Sequence, residues 1–452
     1  MISFALLVLT QVGSSTLAMS LDDVLARADQ VAGEVVRAEF EVVSARTDQD
    51  RAWAAIRPSV TLSLDAREYF FGNPIREARW EECEPQPACR DDQIPWRDKR
   101  WSYGPFRDYR FDEASHPVFA LSLGLRQLLF DGGRFWSQIL RAGSWKTLRD
   151  HLLQAARNNV RLEALRRFYA VARAEAGLAV AEVRLKLAEA NRARSEKTGR
   201  DLALAERDAA ADAVQRARAR YQVGVARRAL ATFIALDPDV PLALNLPRSS
   251  STAMAARGLD GDVKRLVEEA LTRRPEILAS RANVEYYVNN LDMEQAAHWP
   301  TFALTLNYAR TSRRPDRVIS DPTENYTANA GISMSFGAYA GGDVNARVER
   351  AELDVARARR AHEDLERDLR SEVIDRAQRV ELLRTVLRLA QVEADAAEAA
   401  MELAQSSYAE GRSSAMEERD AEVRWIEARR SVIEARFDLQ IGHAELERAV
   451  GR

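Results

Sequence analysis

The chain has 452 residues, of which 46% are hydrophobic and 30% charged, with a formal net charge of −3. So balanced a charge gives no support to nucleic-acid binding, which needs a basic face. No apolar run reaches about 18 residues, so no transmembrane helix is expected.

Residues 1–19 read as a secretory signal. Phe4-Ala5-Leu6-Leu7-Val8-Leu9 is a short apolar core, and Thr16-Leu17-Ala18 ends on a small residue suited to cleavage. A helical segment then leads to Ile56-Arg57-Pro58-Ser59-Val60. From there the residues alternate: Val60, Leu62, Leu64 and Ala66 share one face, and Ser59, Thr61, Ser63, Asp65 and Arg67 the other. Period two is a strand signal, predicting a strand over about 58–71. The stretch 72–117 follows, far longer than the usual hairpin loop of about 2–5 residues. It holds Trp80, Trp96 and Trp101 and both cysteines, Cys83 and Cys89. In an exported protein these two could close a small disulfide loop; the alternative is two surface thiols.

A second alternating segment, about 118–130, places Phe119, Leu121, Leu123 and Leu125 opposite Ala120, Ser122, Gly124 and Arg126. It ends at Gly132-Gly133. A helical segment without proline runs from there to Gly199, and a shorter one returns to Leu236. Ala, Arg, Glu and Leu dominate these segments, the composition of extended helices. Ser249-Ser250-Ser251-Thr252 to Gly261 reads as a linker, assigned to 248–261.

The order then repeats. A helical segment from about 262 leads to His298-Trp299-Pro300-Thr301-Phe302, and two alternating segments cover about 300–311 and 326–337. Gly341-Gly342 precedes another proline-free helical segment running to Gly411, and the chain returns to Val450. Glu206-Arg207-Asp208-Ala209 recurs as Glu418-Arg419-Asp420-Ala421, each Asp nine positions after the reversal glycine. Such self-similarity marks one supersecondary unit used twice, here residues 20–247 and 262–452. Val348, Ala351, Val355, Ala358, Leu365 and Leu369 recur at three- and four-residue steps, the spacing of a coiled-coil seam.

The strands are of a length to cross a bilayer when tilted. Aromatics gather at both ends of them, as in the girdles of outer-membrane barrels. Four strands cannot close a barrel, and an open edge is not tolerated in lipid. A symmetric trimer would supply twelve strands.

Barrel strands followed by helices of about 100 Å, twice in tandem after a signal, resemble the TolC-type outer-membrane efflux protein family. The motifs carrying the resemblance are Leu271-Thr272-Arg273-Arg274-Pro275-Glu276, the two Gly-Gly pairs, the paired glycine tips, and Leu446-Glu447-Arg448-Ala449-Val450-Gly451. The resemblance implies a mostly α protomer of long antiparallel helices plus four strands. Three protomers would form a 12-stranded β-barrel in the outer membrane of a Gram-negative-type bacterium, continuous with a periplasmic α-helical barrel. It implies passive export of solutes or proteins, as the exit duct of a tripartite efflux or type I secretion system.

The implied partners are a homotrimer's other two copies, a periplasmic adaptor (membrane fusion) protein, an inner-membrane pump of RND or ABC type, and outer-membrane lipid. The adaptor would meet the helix tips at Thr198, Gly199 and Arg200 and at Glu410, Gly411 and Arg412. Arg200 and Arg412 depart from the aliphatic or small residue that many members carry. Tyr408, Glu417, Asp420 and Asp208 match a tunnel gate with a ring of acidic groups. The alternative reading of these carboxylates is ordinary solvated helix charge. No Walker loop, Gly-x-Ser-x-Gly, His-Glu-x-x-His or Cys-x-x-Cys occurs, and the five histidines are scattered. No enzyme, metal, cofactor or nucleic-acid role is expected. The competing class is a periplasmic coiled-coil scaffold or adaptor without a channel.

Overall fold

The computed structural model describes residues 17–69, 116–194, 199–240, 242–245, 262–312, 314–320 and 326–452. Cys83, Cys89, the tryptophans of the 72–117 stretch, Thr198 and the whole of the expected linker lie outside the described residues. The chain divides into two compact units. One holds residues 1–52, 134–295 and 341–452, and the other 53–133 and 296–340.

The first unit is helical. In chain order it contains β1 (Leu17–Met19), α1 (Leu21–Val31), α2 (Gly33–Ala54), α3 (Arg134–Arg194), α4 (Gly199–Phe233), β4 (Leu242–Leu244), α5 (Val263–Arg273), α6 (Pro275–Gln295), α8 (Asp343–Ala409) and α9 (Ala415–Val450). The second holds β2 (Ser59–Tyr69), β3 (His116–Phe130), β5 (Thr301–Ser312), α7 (Pro315–Ser320) and β6 (Tyr326–Ser335).

Helices α3 and α8 have 61 and 67 residues, so each is about 90–100 Å long at 1.5 Å per residue. Helices of that length depend on packing rather than on propensity alone. Each is an arm of an antiparallel hairpin, α3 with α4 and α8 with α9. One apolar core gathers Val24, Ala28, Val35, Phe168, Val171 and Leu230 from α1–α4 and Ile234 just after α4. A second gathers Leu266, Ala270, Val373, Val380, Leu446 and Ala449 from α5, α8 and α9. Between α3 and α6, Trp145 packs on Tyr286 with ring centres 5.3 Å apart. His362 of α8 faces Ser280 of α6, Nδ1 to Oγ 3.2 Å.

The leading helices differ from the single segments expected. Each is broken: α1 and α5 have 11 residues apiece, then a residue in extended conformation, then α2 or α6. Ala32 has φ −62° and ψ 127°, and Arg274 has φ −63° and ψ 127°. At Arg274 the following Pro275 disfavours the helical region. At the N-terminal end, Leu17–Met19 pairs in parallel with Leu242–Leu244, and Met19 is buried. The expected signal at 1–19 would include the whole of that strand, and its residues 1–16 lie outside the described residues.

In the strand unit the four alternating segments form one antiparallel sheet in the order β2-β3-β5-β6, with β2 and β6 at its edges. The register joins the apolar stripes into one face. Leu62 lies beside Leu123, Leu123 beside Tyr308, and Tyr308 beside Ala328. The opposite face is small and polar: Ser63 and Ser122 hydroxyls lie 2.6 Å apart, and Asn307 donates to Asn329 at 3.1 Å. Val60, Leu62, Leu64, Ile332 and Met334 of the apolar face are exposed. Rings stand at both ends of the strands, Phe130 against Phe302 (6.2 Å) and Tyr308 stacked on Tyr326 (5.7 Å). Gly132 has φ +72°, and a Cβ there would come within 2.5 Å of Trp299. Only glycine fits that turn.

Candidate functional site at the helix tips

The α8–α9 reversal is built from capping interactions. Gly411 has φ +71°. Its N–H donates to the Tyr408 carbonyl (2.9 Å), and that of Arg412 to the Ser407 carbonyl (2.8 Å). This is the double closure of a helix C-terminus through a left-handed glycine. Glu410 and Arg412 form an ion pair across the glycine. Ser414 then starts α9: its hydroxyl accepts from the Glu417 N–H at 3.3 Å, and its own N–H donates to the Glu417 carboxylate at 3.4 Å. The expected gate residue Glu417 is thus also the return half of a capping box. Asp420, one turn on, is exposed, and Tyr408 is half-buried.

The other tip is not a copy. Gly199 is the first residue of α4, and Thr198 before it lies outside the described residues. The position matching Glu417 is Ala205, which is buried. Asp208 is bonded on both sides. Arg207 donates to one carboxylate oxygen (2.7 Å) and Arg419, from α9, to the other (2.6 Å). Burial pushes the Asp208 carboxyl up, but hydrogen bonds from Arg207 and Arg419 and their charge outweigh it, so its pKa is lowered. Arg419 also reaches Asp212, at 3.6 Å. So of the four expected gate residues, Glu417 and Asp420 share the start of α9 and Tyr408 the end of α8. Asp208 sits in a cross-hairpin ion cluster with Arg419 and Asp212. Sequence reasoning had not given those two residues a role; the duplicated Glu-Arg-Asp-Ala was the available signal.

Two motifs far apart in the chain meet in the helical unit. The Arg274 guanidinium reaches Glu372 (2.6 Å), Glu276 (3.2 Å) and the Ala449 carbonyl (3.4 Å). Gly451, at φ +89°, lies so close to the Arg274 backbone that a Cβ would come within 2.8 Å of its Cα. The Arg274-Pro275 break and the Leu446–Gly451 segment are therefore one packed junction.

Among the described residues no His, Cys, Asp and Glu are grouped to hold a metal. Nor is any described helix long and apolar enough to cross a membrane; that says nothing of the sheet.

Residues 266–452 match the model of the family described as outer membrane efflux protein. That match covers most of the second repeat. The whole chain shares its fold with solved outer membrane channels. It resembles the outer membrane protein VceC of Vibrio cholerae at 16% identity and TM-score 0.72, covering 95% of this chain and 96% of that one. It resembles the Campylobacter jejuni outer membrane channel CmeC at 15% and 0.74, covering 95% and 85%. The open state of the Neisseria gonorrhoeae outer membrane channel MtrE matches at 17% and 0.73, covering 95% and 88%. No curated protein matches by sequence.

Proposed function

We propose that this protein is the passive outer-membrane exit duct of a tripartite export system. The observation that carries the reading is the four-stranded sheet with one continuous, exposed apolar face and a polar opposite face. Its edge strands β2 and β6 carry unpaired backbone groups, which lipid does not tolerate. Three copies joined edge to edge would remove every edge and give an even strand number. The polar face would then line a wet lumen and the apolar face meet lipid. Transport energy would come from an inner-membrane pump, joined through an adaptor at Thr198, Gly199, Arg200, Glu410, Gly411 and Arg412. A scaffold without a channel would account for the helices but not for an exposed apolar sheet face.

Electron microscopy of the detergent-extracted protein tests the duct. The expected particle has threefold symmetry, with a detergent belt at one end of a tube over about 100 Å long. A monomer or dimer, soluble without detergent, would sink the reading.

Within the duct, threefold repetition would bring Glu417 and Asp420 into an acidic ring that concentrates cations. Planar-bilayer recording should show cation selectivity and block by polyvalent cations from the tip side. Unchanged selectivity and block in Glu417→Ala with Asp420→Ala would remove the ring.

A further inference from the structure

Of the Asp, Glu, Lys and Arg residues in the four-stranded sheet, the register places three on the polar face: Asp65, Arg67 and Arg126. Asp65 and Arg67 pair with each other at 3.6 Å near the loop end of β2. Arg126 stands at the other end, opposite Ser59 of β2 and Thr305 of β5. Ser59 and Asp65 are about 20 Å apart along the strand. That exceeds the screening length of about 8–10 Å in physiological salt, so the distant pair does not offset Arg126. Asp131, the next carboxylate along the chain, is buried and lies past the register shift at Leu128 and Phe130.

The polar groups around Arg126 are bonded to the sheet itself. Ser59 donates to the Arg126 carbonyl (3.2 Å), Thr61 to the Gly124 carbonyl (3.4 Å) and Thr305 to the Gly331 carbonyl (3.3 Å), while Asn307 donates to Asn329. Thr61 and Asn307 lean over Gly124, where a Cβ would meet their side-chain oxygens at 2.9 and 3.3 Å. A guanidinium has five N–H donors and no acceptor. Among the described residues no hydrogen bond or ion pair engages that of Arg126. It is the one charge on this face without a protein partner among those residues, and it is partly exposed.

We propose that three copies of Arg126 form a guanidinium ring at the helix end of the barrel lumen, and that this ring binds anionic oxygen groups of the exported solute. The ring rests on the duct reading and adds to it a class of cargo, polyanionic solutes. Twelve strands spaced about 4.8 Å and tilted about 40° close a barrel about 24 Å across, backbone to backbone. The side chains reach inward from that wall, so the barrel axis lies within about one Debye length of all three guanidinia. A like-charged ring in a low-dielectric wall concentrates its counter-ions. The planar fork of each guanidinium suits carboxylate and phosphate oxygens. The hydroxyls and amides on the rest of the face carry no charge to oppose it.

Planar-bilayer recording of the full-length protein tests it, with inorganic triphosphate added on the barrel side. Wild-type current should be blocked. In Arg126→Ala the half-blocking concentration should rise at least about tenfold, the lower end for losing a charge-assisted hydrogen bond. The reversal potential in a potassium chloride gradient should move toward that of potassium. Arg126→Lys should keep most of the block, because the charge remains. Removing the loop-end pair, Asp65→Asn with Arg67→Gln, should leave the block unchanged. If Arg126→Ala forms no channels, Arg126→Gln, closer in shape, carries the same test. A conducting wild type that triphosphate does not block would overturn the ring and leave the duct standing. So would block that survives in Arg126→Ala or Arg126→Gln, or an equal loss in the Asp65 and Arg67 double variant. A wild type without any conductance would sink the duct reading and the ring with it.

Discussion

The two leading-helix breaks share a backbone and differ in what seals them. At Ala32 and Arg274 the dihedral angles agree within a degree. In each, the break residue's N–H still donates to the helix before it, Ala32 to Ala28 and Arg274 to Ala270. Around Ala32 the seal is apolar: Val24, Ala28, Val35 and Phe168 are all fully buried. Around Arg274 it is ionic, through Glu276 and Glu372. Duplication therefore preserved the path of the chain while the two copies found different chemistry to hold it. Backbone geometry and side-chain chemistry are separable here.

The largest blow to that comparison comes from emptying each seal in turn. Phe168→Ala should cost about 3–5 kcal/mol, the range for a buried aromatic truncated to a cavity. Arg274→Ala should cost about 3 kcal/mol, the lower end for a broken buried pair, because Glu276 and Glu372 keep partial access to water. Chemical denaturation followed by circular dichroism measures both. The Arg274→Ala cost should shrink in high salt relative to that of Phe168→Ala. Equal salt dependence would show that the second seal is not ionic in effect.

A smaller effect sharpens the ionic side. Beside the Arg274 junction, Arg452 donates to both carboxylate oxygens of Glu269, at 2.9 and 2.7 Å. The Arg452 hydrogen bond is the main reason the Glu269 carboxyl sits below its ordinary value, with burial opposing and the charges of Arg452 and Arg273 assisting. A carboxylate with a lowered folded-state pKa adds stability above the unfolded-state value. That stability is lost as pH falls through the lowered one. Wild-type stability should therefore fall more steeply below about pH 4.3 than that of Arg452→Ala. In the first repeat Arg27 stands at the place of Glu269 and donates to the Ile234 and Ala235 carbonyls at 2.9 and 3.4 Å, so Phe168→Ala should leave the acid limb's slope unchanged.

Much of the fold was legible because its signals are periodic. Strict alternation marked all four strands, since a one-residue slip would turn each apolar stripe to the other face. Long proline-free runs between glycines marked α3 and α8. The helix breaks were missed, although Arg274-Pro275 carried the signal in the restriction that proline imposes on the residue before it. At the tip, Ser414-x-x-Glu417 was legible as a capping box, yet Glu417 stood out only through the family resemblance. The Arg419–Asp208 pair could not be read locally. It joins residues 211 positions apart, and only the packing of one hairpin on the other decides which of the two duplicated arginines crosses.

The α3–α9 seam also constrains how the molecule is made. Along it Arg166, Arg173 and Arg184 of α3 form a ladder of ion pairs with Glu445, Asp438 and Glu427 of α9. Arg166 and Glu445 are 279 positions apart. During synthesis and export, α3 must wait with its seam uncovered until α9 has arrived. Contacts of such separation slow folding, and waiting apolar surface invites aggregation. A row of arginines along that waiting face keeps it hydrated and mutually repelling until the matching carboxylates appear. The same ladder that sets the register of the finished bundle would then act earlier as a guard against the wrong partner.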